Sequence, residues 1–213
     1  MALSKLAIWN MALAECPESR VDSIDEASEA AQQCRDQYQP ALELLLEDHD
    51  YGFAIKRATL ALLTNDRENE WDFTYALPAD MARPRHLLPF AAATMGAAVY
   101  SWIGEYRALE SLVPLRIAGS KLYANVEQAV LEYVSDSPSE ALFTAKFARA
   151  LALELASRIV MPLRKSEKRQ ESLIRMAEVA RERAKADDMN RNRTSVRDFI
   201  PQTQLARDGY EAR

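Results

Sequence analysis

Glycine is scarce in this chain, with five in 213 residues, and no GxGxxG or GxxxxGK[ST] loop can be assembled from them. The usual glycine-rich cradles for nucleotide phosphates are therefore excluded. A GxSxG nucleophile elbow is missing too. Cys16 and Cys34 are the only cysteines, too few for a disulfide framework and in keeping with a reducing cytosol. Neither lies in a recognisable nucleophile motif. His49 and His86 are the only histidines, and neither has cysteines or acids at zinc-ligand spacing. His49, within EDHDYG, reads as a solvated helix end. No signal peptide is expected, because the apolar run after Lys5 is short and Asn10 interrupts it. The longest uncharged run, 87–103, contains Pro89 and Gly96 and is diluted by small residues. It reads as core or interface, not as a membrane span. No cofactor is implied.

Alanine, leucine and glutamate are plentiful, and most of the chain has helical period. Leu3, Leu6, Ala7, Met11 and Ala14 predict a first helix stopped near Pro17. Ser23 and Glu26 form a capping box, so a second helix is expected from there to about Asp48. Its stripe is Ala27, Ala30, Ala31, Cys34, Tyr38, Leu42 and Leu45, with a kink at Pro40. Residues 51–63 suit a strand or a helix equally. Then WDFTYALPADMARPRH (71–86) breaks the helical habit: Trp71, Phe73, Tyr75 and Leu77 alternate with Asp72, Thr74 and Ala76, the period of a half-buried strand. If 51–63 is also extended, the two form a hairpin. The segment 87–112 is Ala-rich and expected to be partly helical. Residues 114–136 read as short strands around Gly119–Ser120.

Ser137, Pro138 and Glu140 carry a helix-start signature. The helix behind them is apolar round most of its circumference, through Phe143, Phe147, Leu151, Leu155 and Ile159, and is expected to be buried on several sides and to end at Pro162. A final helix, about Ser166 to Asp187, keeps one stripe through Leu173, Ala177, Ala180 and Ala184. The fold class expected is mainly α (α+β): a helical bundle with a small antiparallel β-sheet. It occupies 1–187, with the strands and the insertion inside 51–136. Residues 188–213 have no sustained period and are expected to form an extended C-terminal arm.

Charge is unevenly spread. Acids crowd 15–50, and cations crowd 164–185. The two segments can pair within a subunit or between neighbours. Glu167, Glu171, Glu178 and Glu182 interleave with the cations of the last helix, which favours intrahelical ion pairs over a phosphate-binding stripe. Glu47, Asp48 and Asp50 are the nameable acids for glycoside hydrolysis, which needs two carboxylates about 5–9 Å apart, but nothing marks them as desolvated and they read as ordinary surface acids at a helix end.

The order of these pieces resembles one family. Leu77-Pro78-Ala79-Asp80 follows the aromatic strand. The strand end Tyr133-Val134 runs into Phe143, Leu151-Ala152 and Leu155-Ala156, and a helix rich in Glu, Lys and Arg follows. Over roughly 3–190 this resembles the head-to-tail adaptors of short-tailed bacteriophages, often called tail tubular protein A and related to tail accessory factors. The segment 87–112 is longer and more Ala-rich than that pattern.

The resemblance implies a structural virion protein, not an enzyme. It would be assembled in the host cytoplasm into a homo-oligomeric ring of twelve copies beneath the portal. The ring would extend the DNA channel without specific DNA binding and dock a nozzle similar to tail tubular protein B, with no membrane involved. Pro78 and Pro84 would fix the backbone around Asp80, leaving Arg83 and Arg85 to meet a neighbour. The plainer alternative is a turn in which Asp80 bonds local amides. In the arm, Arg191, Arg193 and Arg197 would guide, and Phe199 and Ile200 would anchor, binding to the portal. Competing classes are a cell-wall lytic tail accessory protein and a DNA-binding packaging factor of the small-terminase kind.

Overall fold

A computed structural model describes residues 3–89 and 114–191. Four helices occur among them: α1 (Lys5–Glu15), α2 (Glu29–Asp48), α3 (Ala145–Arg164) and α4 (Glu167–Arg191). Helices α1, α2 and α4 each pack on α3. Helix α3 is buried on nearly every side, as its apolar circumference predicts. Phe147, Leu151, Leu155 and Ile159 are wholly inaccessible, each contributing about 1.5–3 kcal/mol of hydrophobic stabilisation.

Helix boundaries differ from the sequence expectation in instructive ways. Helix α1 buries Ile8, Trp9, Ala12 and Leu13, while Ala14 faces solvent. Ser23 and Glu26 do not start α2. The Glu26 carboxylate accepts from the Asp22 amide at 2.9 Å and the Ser23 hydroxyl from the Asp25 amide, closing a local turn. Ser28 caps α2 instead, accepting from Ala31. Likewise, Glu140–Leu142 is a single 3-10 turn, and Thr144 caps α3 by accepting from Phe147 at 3.1 Å. Pro162 lies inside α3, which ends at Lys165 in the left-handed region (φ 50°). Helix α4 continues past Asp187 to Arg191, so residues 188–191 belong to the helix and not to an arm.

Among the described residues, seven strands form two antiparallel sheets where one was expected. The strands are β1 (Ile55–Thr59), β2 (Leu62–Leu63), β3 (Phe73–Ala76), β4 (Met81–Pro89), β5 (Leu115–Ala118), β6 (Lys121–Ala124) and β7 (Ala129–Ser135). Their orders are β1-β7-β4 and β2-β3-β6-β5. The hairpin anticipated between 51–63 and 71–77 survives only as Leu62↔Tyr75 and Leu63↔Thr74; β1 leaves it to pair with β7. Gly119 (φ +61°) makes the β5–β6 turn, a conformation that glycine adopts without a Cβ penalty. Thr74, on the nominally polar face of β3, is fully buried and donates to Asn65 at 2.8 Å.

The proline-bracketed stretch is a turn only at Ala79–Asp80; Arg83, Pro84 and Arg85 already lie on β4. Pro84 is tolerated because β4 is an edge strand with register shifts on both sides of it.

Strand β7 joins two cores. Val134 belongs to the helical cluster with Leu45, Phe147 and Leu151; Leu131 and Tyr133 point to the sheet cluster with Tyr75, Leu87 and Leu122. Tyr51, Phe53, Phe143 and Phe147 pack ring against ring where helices and sheet meet, with centroids 4.7–5.4 Å apart. Cys16 and Cys34 are buried and unpaired, and burial pushes their thiols up to about 11 and about 12. No helix among the described residues is long and apolar enough to cross a membrane.

Candidate functional site

An open cleft of about 1170 Å³, lined largely by charged side chains, lies where the end of α2, the β1-β7-β4 sheet and the end of α4 converge. At its centre is Glu132, only 7% exposed on the middle strand. The strand register sets Arg57 and His86 opposite it. Arg57 Nε donates to one carboxylate oxygen at 2.7 Å, Arg85 Nη1 to the other at 2.6 Å, and His86 Nε2 stands 4.0 Å away. Arg85 also donates to Asp50 at 3.1 Å, and Arg83 pairs with the same carboxylate. Arg85 thus bridges the end of α2 to the buried acid of β7.

A second tie holds α4. Asp188 is buried; His49 Nε2 lies 3.0 Å from its carboxylate, and the Gly52 amide donates to it at 3.2 Å. One and two turns back along α4, Lys185 and Arg181 meet Asp48, each at 3.5 Å. The Lys185 ammonium is held above its ordinary pKa, first by its bond to Glu182 and then by Asp48. Tyr51 lies beneath, its hydroxyl disfavoured from ionising by burial and then by Asp48 and Asp188. The expectation of a solvated His49 is therefore corrected: it is half-buried and clamps α2 to α4.

Asp80 lies outside this cleft, and its carboxylate bonds run to distant side chains. Its carboxylate accepts from Lys56 Nζ (2.7 Å), Tyr133 OH (2.9 Å) and Ser135 Oγ (3.2 Å), while its carbonyl accepts from the Asp136 amide. The Lys56 bond, more than the others, holds its carboxyl below the usual range. The Pro78 carbonyl closes the turn by accepting from Met81 at 3.3 Å. Arg83 and Arg85 meet acids of their own chain. At the C-terminus, Arg191 is the last residue of α4 and pairs with Asp187 at 3.1 Å. Arg193, Arg197, Phe199 and Ile200 lie outside the described residues, as does most of the 87–112 segment.

Chemically, the cleft is a network of matched charges: each arginine facing it is held by a carboxylate, which suits a brace between helices and sheet. Glu47, Asp48 and Asp50 differ in their surroundings. Glu47 is exposed, and the other two are engaged by cations. Among the described residues, no group of three or more His, Cys, Asp or Glu could hold a metal ion. Five cations of α4 are also engaged locally: Arg175, Lys185 and Arg191 by Glu171, Glu182 and Asp187 within the helix, and Arg169, Arg181 and again Lys185 by Glu15 and Asp48 across the fold. Sequence reasoning passed over Glu132 and Asp188. Both left a trace: Glu132 is the single charge within AVLEYV, and Asp188 continues the Leu173, Ala177, Ala184 stripe of α4.

Compared with known proteins, the chain matches no family model and no curated protein sequence.

Proposed function

We propose that this protein is a structural ring subunit, a head-to-tail adaptor of the short-tailed phage kind. The four helices form a bundle, the two sheets form its appendage, and the residues after Arg191 serve as the arm that engages the portal. Twelve copies would stack beneath the portal, line the DNA channel without gripping it, and offer the opposite side to the tail nozzle.

The observation that carries this reading is the order of elements. Two helices lead into an aromatic strand and the LPAD turn, and a strand ending at Tyr133-Val134 leads into the buried helix and then the charged one, in the sequence the resemblance implies. The polar, arginine-bearing segment 192–213 leaves from the end of α4, which the Asp188 clamp holds against α2 and the 3-10 turn at Gly52–Ala54.

The acidic N-terminal part and the basic last helix pair within one subunit, so they no longer argue for contact between copies. Exposed apolar residues take that role. Leu62 and Leu63 lie on edge strand β2, and Ile174 and Val179 lie on α4. Two unlike patches are what a head-to-tail ring requires.

Truncation after Arg191 tests the arm. The shortened chain keeps α4 and its Asp188 clamp, so it is expected to stay folded yet fail to co-sediment with portal particles. Undiminished attachment to portal would refute the arm's role.

A further inference from the structure

Between α2 and β4 lies a pocket of about 390 Å³, separate in character from the matched-charge cleft. Its floor is apolar, from Leu46, Ala82 and Val134, and Glu43, Glu47 and Asp136 stand round it. Glu43 and Glu47 are one helical turn apart and exposed. The cation lining the pocket, Arg83, is already engaged by Asp50 and by the carbonyl of Glu47. Glu43 accepts from the neutral amide of Gln39 at 3.0 Å. The pocket therefore calls for an apolar side chain accompanied by positive charge.

The chain carries such a segment close by. Arg193 and Arg197 precede Phe199 and Ile200. Helix α4 delivers this segment from Arg191, one turn beyond Asp188, which is fastened to His49; Glu47 is two residues before that histidine. The residues 192–199, if extended, reach roughly 27 Å. The pocket flank from His49 back to Glu43 is only about 9 Å of helix. A tethered segment also presents itself at millimolar effective concentration, so a weak contact is well populated.

We infer that in the unassembled subunit the C-terminal segment folds back onto its own chain. Phe199 and Ile200 fill the α2–β4 pocket, and Arg193 and Arg197 face Glu43, Glu47 and Asp136. This goes beyond portal binding: the segment has an internal site that any outside partner must outcompete, which keeps free copies from engaging prematurely.

Hydrogen–deuterium exchange on the full-length chain tests it. Amides of 196–200 should exchange at least tenfold more slowly than in the double variant Glu43→Lys/Glu47→Lys. The same loss of protection should follow Phe199→Ser, which leaves the described residues untouched. Protection should be equal at 1 and 100 µM protein. Unprotected 196–200 amides in the parent chain, or protection that survives both variants, would overturn the inference. So would protection appearing only at the higher concentration, since that places the segment on a second copy. No portal enters the experiment, so its failure leaves the adaptor reading standing.

Discussion

Asp80 shows how a short-range pattern and a long-range role differ. The sequence displays an acid between two prolines; the structure gives it Lys56, Tyr133 and Ser135, which are 24, 53 and 55 positions away. Replacing Asp80 with alanine leaves Tyr133 OH and the buried Ser135 hydroxyl short of an acceptor, and is expected to cost about 1–3 kcal/mol. The carboxyls of Asp80, Asp66 and Asp187 are all held below their ordinary range, chiefly by bonds from Lys56, Lys121 and Lys146 respectively. A carboxyl with a depressed folded-state pKa binds fewer protons folded than unfolded. Its stabilisation is complete above the unfolded value of about 3.9 and lost as pH falls through the folded value. The urea midpoint should therefore hold steady down to about pH 5 and then fall. In Asp80→Asn the acid slope should be shallower; an unchanged slope would show that Asp80 is not one of the responsible groups. His49 and Asp188 teach the same lesson, since the partner lies 139 positions along the chain and no local window contains both.

Among the elements, Thr144 and Ser137 offer the sharpest comparison. Both precede α3, and the Ser137-Pro138-Ser139-Glu140 motif looks the stronger start. Yet only Thr144 accepts from a first-turn amide of α3. Thr144→Ala is expected to lower stability by about 1 kcal/mol, and Ser137→Ala to stay within about 0.5 kcal/mol, both read from urea unfolding. The reverse ranking would restore the sequence-based boundary.

Much of the rest was legible. The Ala31, Cys34, Tyr38, Leu42, Leu45 stripe of α2, the β5–β6 hairpin at Gly119 and the burial of α3 follow from periodicity and one left-handed turn. The helix starts did not, because Ser23/Glu26 and Ser137/Glu140 can satisfy amides in isolated turns as well as in helices. Nor did the division into two sheets, because pairings such as Arg57↔Glu132 join distant segments whose local patterns are silent about their partners. The candidate cleft was the least legible part: Glu132 and Asp188 look like ordinary acids until the strand register and the length of α4 are known.

At the scale of the whole molecule, electrostatics closes inward. Glu15, Glu18 and Asp48 meet Arg169, Arg164, Arg181 and Lys185 across the helices, and Asp50 and Glu132 meet the arginines of the sheet. Several apolar side chains are left outward as well: Leu62 at 64% exposure, Met189 at 63% and Val179 at 52%. A frame braced by internal ion pairs, with apolar residues left outward on separate elements, suits a part built to be stacked among copies and between partners.

The adaptor account is tested most directly by electron microscopy of the full-length protein mixed with purified portal of the cognate particle. It predicts an added ring of twelve subunits on one end of the portal. Portal particles of unchanged length, with this protein left unassembled beside them at saturating concentration, would contradict it.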